Sequence, residues 1–309
     1  MSSRVLIIGG GALGGVMAAR LYRSGHNVTV LDANKEHVQR MVDPGLEVDL
    51  VGEKITIPLN AVDNIGDLDG TYSFGLVTLK APYIAAALAP LSERGLVDTY
   101  VSLGNGLVQD KIQQVVGVDE LVVGTVSWGA TNIGPGKVAQ TTIAPFALGE
   151  LNGDVSPRLR ELVSLLSDVA EVHFTDNIQG QVWSKLLLNS TFSGLSVVTG
   201  LVYGDVMRLP NGPKVAMALW TEGYLVAMAK GLTLDVVAGI DPRDIAVLES
   251  QDFAQSQVAI SKLMESLGPT KASMLQDVEK GVPTEVDVIN GGVSASGLDV
   301  KVKTPLNDA

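Results

Sequence analysis

The stretch that decides the fold is residues 4–32, RVLIIGGGALGGVMAARLYRSGHNVTVLD. It opens with a short apolar run, which is typical of a buried parallel strand, and continues into the pattern G-x-G-x-x-G. The glycines of this pattern are Gly9, Gly11 and Gly14. Residues at helical spacing follow until Gly25, and a second apolar run ends on Asp32. The stretch therefore predicts a strand–helix–strand unit with an acid roughly 20 residues beyond the glycines.

Each glycine of this pattern has a physical role in binding a dinucleotide. Gly9 permits a tight turn, Gly11 lets backbone amides approach a pyrophosphate, and Gly14 allows the helix to lie close to the strand. The helix N-terminus, which begins around Ala12 and Leu13, offers N–H groups and a positive dipole end to the phosphates. A flexible glycine turn, the simpler alternative, does not account for the strand, the helix and the acid together.

Asp32 indicates which nicotinamide cofactor the unit binds. A carboxylate at the end of the second strand accepts hydrogen bonds from the ribose hydroxyls and repels a 2′-phosphate. Residues 33–36 are Ala, Asn, Lys and Glu, so no arginine stands there to bind that phosphate. We therefore predict NAD(H) in preference to NADP(H).

The remainder of the N-terminal half alternates apolar runs with helical segments, which is the pattern of a parallel doubly wound sheet. The predicted strands are 74–79, 100–103 and 121–126, and the predicted helices are 35–42, 82–93, 108–115 and 156–169. A hairpin is predicted at 47–57, and an antiparallel extension at 138–142 and 146–149. Lys80 and Asn105 follow strands, at the carboxyl edge where ligands bind in such sheets.

From about Asp176 the pattern becomes almost purely helical, so we predict an α/β Rossmann domain at 1–176 and an all-helical domain at 177–309. The predicted helical segments are 177–198, 212–230, 242–265, 271–280 and 285–295. Gly281 is a predicted helix C-cap, and Thr284 with Asp287 a predicted capping box. Trp128 and Trp220 are interpreted as packing residues.

The first of these helices carries a narrow polar stripe on an apolar background. The stripe consists of Gln181, Lys185, Asn189 and Ser193. An amphipathic helix with a solvated face is one interpretation. The other is functional, because burial lowers the pKa of a lysine and makes it a better proton donor near neutral pH.

Composition excludes several other classes of protein. The chain has 309 residues, a formal charge of −12 and no cysteine. The negative charge argues against nucleic acid or an anionic membrane as partner, and the cytoplasm is the expected location. His26, His37 and His173 are scattered and are interpreted as structural or solvated, so no metal site is predicted.

Taken together, the motifs resemble those of the ketopantoate reductases (2-dehydropantoate 2-reductases), in the family's order along nearly the whole chain. The matching segments are GGGALG at 9–14, Lys80, LGNGL at 103–107, GATNIGPGKV at 129–138, WSKLLLN at 183–189 and SMLQDVEKGVPTEVDVINGGV at 273–293. The resemblance implies a Rossmann domain followed by a helical domain, reduction of the ketone of ketopantoate by hydride from NAD(P)H, and a homodimer.

The resemblance also implies roles for individual residues. Lys185 resembles the general acid that protonates the ketone oxygen, and Glu285 the acid that binds the substrate hydroxyl and orients that lysine. Asn105 resembles the residue at the nicotinamide and the substrate, and Lys80 its companion lysine.

Three further positions resemble substrate-binding residues of the family. They are Asn189, Ser193 and Ser273. Ser193 stands where relatives carry another asparagine, and Val282-Pro283 replaces a basic residue. Asp32-Ala33-Asn34 stands where relatives often carry an arginine for the NADP phosphate.

The residues leave other functions open. A reductase of a different small 2-keto acid or an opine-type dehydrogenase would use the same side chains. A catalytically silent NAD(H)-binding regulator would not need the buried lysine, and a flavoprotein would also begin with a glycine-rich strand–helix–strand unit.

Overall fold

The computed structural model describes residues 3–309, which form two compact units. The first unit contains the chain up to Gly104 and Val108–Ile178, and the second contains Asn105–Leu107 and Gln179–Ala309. The strands named below all lie in the first unit, and the elements named in the second are helices. The predicted fold class, a Rossmann sheet followed by a helical region, is confirmed.

Residues 3–309 form twelve strands, which are β1 (Arg4–Ile8), β2 (Asn27–Leu31), β3 (Leu46–Leu50), β4 (Glu53–Ile57), β5 (Asn60–Val62), β6 (Tyr72–Val77), β7 (Val97–Ser102), β8 (Leu121–Val126), β9 (Ala130–Gly134), β10 (Lys137–Gln140), β11 (Phe146–Gly149) and β12 (Val172–Phe174). The helices of the first unit are α1 (Ala12–Arg23), α2 (Lys35–Arg40), α3 (Ile84–Glu93), α4 (Val108–Val116) and α5 (Pro157–Leu166).

Eight strands form one sheet in the order β12-β11-β8-β7-β6-β1-β2-β5. All neighbours from β8 to β5 run parallel, and the order of strands reverses between β1 and β6. Ile8 pairs with both Leu31 and Val77, so the carboxyl ends of β1, β2 and β6 are aligned. The residues that follow these strands therefore lie at one edge, where ligands bind in this fold.

A second sheet, in the order β4-β3-β10-β9, packs on α1. A Cβ on Gly15 of α1 would lie 3.1 Å from Val138, and the Arg20 guanidinium donates to Gln140 Oε1 at 2.6 Å. The predicted hairpin is confirmed as β3 and β4. The predicted antiparallel extension is confirmed for 146–149, because β11 pairs antiparallel with β8 in the main sheet. The segment 138–142 does not join that sheet, because β10 pairs with β9 and β3 in the second sheet. Adjacent apolar runs do not show which distant strand each will join.

The helices of the remaining chain are α6 (Ile178–Leu188), α7 (Gly194–Thr199), α8 (Tyr203–Arg208), α9 (Gly212–Ala229), α10 (Pro242–Ile245), α11 (Phe253–Leu267), α12 (Ser273–Glu279) and α13 (Asn290–Val300). The predicted continuous helix over 177–198 is wrong, because a π-helical turn at Asn189–Ser193 separates α6 from α7. Such a turn holds an extra residue, so the side chains beyond it face a different direction from that predicted by α-helical spacing.

Two local predictions about helix ends also differ from the structure. The segment 242–265 contains two α-helices rather than one. Between them, Glu249 and Asp252 form a capping box at the 3-10 turn Ser250–Asp252, which precedes α11. The predicted box of Thr284 with Asp287 is wrong, because Thr284 Oγ1 accepts the Val286 N–H at 3.4 Å instead. Gly281 does follow the end of α12, with φ +66°.

Both tryptophans interpreted as packing residues are buried. Trp220 is at the centre of the helical core, and its Nε1 donates to the carbonyl of Pro242 at 2.9 Å. Trp128 packs edge to face on Phe146 in the first unit, with ring centroids 5.8 Å apart. Within residues 3–309, the helices are too short or too polar for any of them to cross a membrane.

Candidate active site

The turn after β1 has the geometry that a dinucleotide pyrophosphate needs. Gly9 has φ +102°, in the left-handed region that favours glycine. A Cβ on Gly14 would lie 2.0 Å from the Gly9 carbonyl, so a side chain there would force α1 away from β1. A Cβ on Gly11 would meet nothing within 4 Å, which leaves open space in front of Ala12, Leu13 and the N-terminus of α1. These residues fit the nicotinamide dinucleotide that the sequence predicts.

Asp32 lies directly after β2 at the same edge and is only partly exposed. Its Oδ2 accepts the Gly10 N–H at 2.7 Å, and its Oδ1 accepts the Asn34 N–H at 2.8 Å. Each carboxylate oxygen retains further acceptor capacity, so the group can also bind hydroxyls. Lys80 follows the end of β6 and is partly exposed at this carboxyl edge.

Lys185 lies in the last turn of α6, beside the buried Leu186 and Leu187. Part of its surface remains accessible, yet burial lowers its pKa to about 8, and the negative charge of Glu285 only partly opposes that shift. At neutral pH this lysine is protonated and releases its proton more readily than an exposed lysine does. It is therefore suited to act as a general acid.

Glu285 and Asn105 complete this arrangement from distant parts of the sequence. Glu285 is 7 % exposed, and its Oε2 accepts a hydrogen bond from Asn105 Nδ2 at 3.2 Å. The Asn105–Leu107 loop is fixed nearby, because the Leu107 N–H donates to the Val288 carbonyl at 2.8 Å. Gly106 has φ +67°, and a Cβ on it would lie 2.3 Å from that carbonyl, so only glycine fits. The structure thus brings Lys185, Glu285 and Asn105 together.

The three residues expected to bind substrate are placed differently from one another. Asn189 begins the π-helical turn and is partly exposed. Ser193 ends the same turn, where it is buried and its hydroxyl bonds to that of Tyr203 at 3.0 Å. Ser273 is exposed at the start of α12, which packs against the turn and α7. The structure therefore separates Ser193 from the stripe that α-helical spacing predicts.

Some residues that hold these elements were not indicated by the sequence. Asn290 at the start of α13 is buried, and its Nδ2 donates to the Ser190 carbonyl at 2.8 Å inside the π-helical turn. Asn34 caps α2, since its Oδ1 accepts the His37 N–H at 3.1 Å. The spacing of Asn34 and His37 is a local pattern that indicates a helix N-cap. The contact of Asn290 with Ser190 joins residues 100 positions apart, and no local pattern indicates it.

Comparisons with known proteins identify the family of the chain. The family model described as ketopantoate reductase PanE/ApbA matches residues 5–153, and the model of the family's C-terminal part matches residues 177–309. The 2-dehydropantoate 2-reductase of Mesorhizobium japonicum is 26% identical, over 99% of this chain and 95% of the relative.

Two solved structures share the fold across nearly the whole chain. The ternary structure of D-mandelate dehydrogenase with NADH and anilino(oxo)acetate has a TM-score of 0.83 at 25% identity, covering 99% of this chain and 95% of that one. The PanE/ApbA family ketopantoate reductase from Ralstonia eutropha JMP134 has a TM-score of 0.83 at 24% identity, with the same coverage.

The fold, the site and these relatives define an NAD(P)-dependent oxidoreductase that acts on a CH–OH group. Residues 5–153 and 177–309 of this chain match the N-terminal and C-terminal models of one family, in the order in which the family has them. The chain belongs to the ketopantoate reductase family.

Proposed function

We propose that this protein is a 2-dehydropantoate 2-reductase, which reduces the ketone of ketopantoate to the alcohol of pantoate in the biosynthesis of pantothenate and coenzyme A. The observation that carries the proposal concerns Lys185. Burial lowers the pKa of this lysine to about 8, and the nearby charge of Glu285 opposes that shift only in part. The 2-dehydropantoate 2-reductase of M. japonicum, similar over 99% of this chain, supports the choice of substrate.

In this proposal the residues of the second unit perform the proton transfer. A reduced nicotinamide, held at the glycine turn and Asp32, would supply the hydride for the carbonyl carbon of the substrate. Lys185 Nζ donates a proton to the carbonyl oxygen, which becomes the product hydroxyl, and Lys185 regains a proton from solvent. The negative charge of Glu285 favours the protonated form of Lys185, and Glu285 binds the substrate hydroxyl. The Asn105 amide donates to the Glu285 carboxylate and holds it in place.

The other expected residues take binding roles. Asn189 and Ser273 bind the carboxylate end or the hydroxyl groups of the substrate, and both retain accessible surface. Ser193 contributes from the same turn, although its hydroxyl already bonds to Tyr203. Lys80 acts with the glycine turn on the cofactor. The homodimer implied by the resemblance stays a prediction.

A reductase of another 2-keto acid is the second candidate function. Two observations favour it: Ser193 bonds to Tyr203 in the helical core, and one relative of the same fold is a D-mandelate dehydrogenase at 25% identity. An opine-type dehydrogenase would use the same side chains. A silent NAD(H)-binding protein would have no use for a lysine of lowered pKa next to a buried acid.

The test of the proposal is a comparison of keto acids. Purified protein is assayed with NADH and, separately, with NADPH, by loss of the absorbance of the reduced nicotinamide. The substrates are ketopantoate, phenylglyoxylate (the keto acid that corresponds to mandelate) and pyruvate. We expect kcat/KM for ketopantoate to exceed that for the others by at least about tenfold, the discrimination that a fitted pocket provides. A higher kcat/KM with phenylglyoxylate would establish the second candidate instead, and turnover with none would contradict both.

We further propose that the cofactor is NADH rather than NADPH, on the grounds that the Asp32 carboxylate lies at the end of β2. Asp32→Asn removes the charge that repels a 2′-phosphate and weakens the bonds to ribose hydroxyls. We expect it to raise the KM for NADH by about 10- to 100-fold, in line with the loss of a charge-assisted hydrogen bond, and to narrow the preference over NADPH.

The matched control for this substitution is Asp63→Asn, at an exposed aspartate of the same unit. Its KM for NADH should equal that of the wild type. If the wild-type protein prefers NADPH, Asp32 does not select the cofactor in the way proposed here, although the reductase function would stand.

A further inference from the structure

His37 is a buried histidine that the proposed reaction does not use. It lies on α2 with 2 % of its surface exposed, and both ring nitrogens have backbone partners. Nε2 is 2.7 Å from the carbonyl oxygen of Gly10, in the glycine turn. Nδ1 is 2.7 Å from the backbone nitrogen of Gly136, in the turn between β9 and β10.

These partners determine the tautomer of the ring. The Gly136 N–H can only donate, so Nδ1 must accept and carries no proton. Nε2 therefore holds the proton of the neutral ring and donates it to the Gly10 carbonyl.

The hydrogen bond to Gly10 sets the direction of the next amide. In a planar trans peptide the carbonyl oxygen and the N–H point in opposite directions. With the Gly10 carbonyl held by His37, the Gly11 N–H points away from His37 within the same peptide plane. A Cβ on Gly11 would also meet nothing within 4 Å, so this part of the turn is open to a ligand.

The peptide before Gly10 is held as well. The Gly10 N–H donates to Asp32 Oδ2 at 2.7 Å, the Asn34 N–H donates to Asp32 Oδ1 at 2.8 Å, and Asn34 Oδ1 accepts the N–H of His37 at 3.1 Å. Asp32, Asn34, His37 and Gly10 thus form a closed ring of hydrogen bonds. The ring joins the acid expected at the ribose to the turn expected at the pyrophosphate.

We propose that His37 is a positioning residue for cofactor binding: its Nε2–H holds the Gly10–Gly11 peptide in the orientation in which the Gly11 amide meets the pyrophosphate. The contact with Gly136 orients the ring and fastens it to the second sheet. This role depends on the binding of a nicotinamide dinucleotide and does not depend on which keto acid is reduced.

Two conservative substitutions separate the two contacts of the ring. The side-chain nitrogen of glutamine can take the place of Nε2, so His37→Gln keeps a donor for Gly10. The side-chain oxygen of asparagine can take the place of Nδ1, so His37→Asn keeps only an acceptor for Gly136. His37→Leu removes both, and His173→Asn, at an exposed histidine of the same unit, is the control.

The measurements are the Kd for NADH by fluorescence titration, the kinetic constants and the thermal unfolding of the protein without cofactor. We expect His37→Asn and His37→Leu to raise the Kd and KM for NADH by about tenfold, the effect of one lost hydrogen bond. At saturating NADH, kcat and the KM for the keto acid should stay within about twofold, because the proton donor is untouched. His37→Gln should restore most of the affinity.

Equal affinity for NADH in the wild type and in His37→Asn would overturn the proposal. The proposal would also be overturned if His37→Gln and His37→Asn lost the same NADH affinity, in proportion to their loss of thermal stability. His37 would then only support the fold. If His37→Leu does not fold, the difference in NADH affinity between His37→Gln and His37→Asn still tests the proposal. Since the titration needs no keto acid, its result is independent of the substrate proposed above.

Discussion

Replacing Lys185 by alanine is expected to lower kcat by about 100- to 10,000-fold, the usual contribution of a positioned general acid. The alkoxide that forms as hydride reaches the carbonyl carbon would then have to take its proton from water. Because Lys185 lies in α6 rather than in the glycine turn, the Kd for NADH should remain close to that of the wild type. Single-turnover oxidation of NADH by the keto acid measures the chemical step directly.

The matched control is Lys262→Ala, at an exposed lysine of α11. It should leave both kcat and NADH affinity unchanged. If Lys185→Ala retains most of the wild-type rate, Lys185 is not the proton donor. If NADH affinity falls as much as the rate does, Lys185 acts in binding instead.

The pKa of Lys185 also predicts the shape of the pH profile. With a pKa of about 8, the protonated donor is present at lower pH and is lost above it, so kcat/KM for the keto acid should fall on the alkaline side of pH 8. Glu285→Gln removes the charge that raises this pKa, so the alkaline limb should move to lower pH. Lys185→Arg, whose side chain stays charged, should show no such limb. A limb that stays in place in both variants would have to come from another group.

Replacing Glu150 by glutamine is expected to cost about 3 kcal/mol of unfolding free energy, since removing one partner of a buried ion pair leaves the other uncompensated. Glu150 is 6 % exposed just after β11, and its carboxylate accepts from the Arg158 Nε and Nη2 at 2.8 and 2.6 Å and from the Ser156 hydroxyl at 2.5 Å. Arg158, at the start of α5, also donates to the carbonyls of Asp119 and Leu121. The pair therefore fixes α5 to the end of the sheet.

This stabilisation depends on pH with a defined sign. Burial alone would raise the pKa of Glu150, but the hydrogen bonds from Arg158 and Ser156 and the charge of Arg158 together lower the pKa below its ordinary value of 4.5. The contribution is therefore complete above pH 4.5 and is lost as the pH falls through the lower pKa of the folded state. Urea unfolding at neutral pH and at acid pH measures it.

The expected result is that Glu150→Gln is much less stable than the wild type at pH 7 and approaches it in acid. Glu93→Gln, at an exposed glutamate of α3, should match the wild type at both pH values. Equal stability of Glu150→Gln and the wild type at pH 7 would show that the ion pair contributes no net stability.

The sequence was most informative where the relevant interactions are local. The strand, glycine turn, helix and Asp32 lie within 29 consecutive residues, so their spacing alone predicts their geometry. By contrast, Asn105 and Glu285 are 180 residues apart, and no periodicity indicates that they share a hydrogen bond. The family resemblance suggested both residues, but only the structure shows their contact.

Ser193 illustrates a different limit. Residues spaced by four lie on one face of an α-helix, but the π-helical turn at Asn189–Ser193 adds a residue and directs Ser193 to Tyr203. The cause is tertiary, since Asn290 and the core around Phe192 hold this turn from outside it. His37 is buried rather than solvated, and its partner Gly136 lies 99 residues away, so no local pattern indicates their contact.

The grouping of Asn105–Leu107 with the second unit has a consequence for how this family can evolve. A gene exchange that replaced the chain from residue 177 onward would import a new Glu285 and Val288 but leave the old Asn105 and Leu107 behind. The imported Glu285 would then face the loop at Asn105 of a different parent protein. The loop after β7 therefore depends for its contacts on residues of the second unit, and chimaeras of two relatives should exchange both segments together.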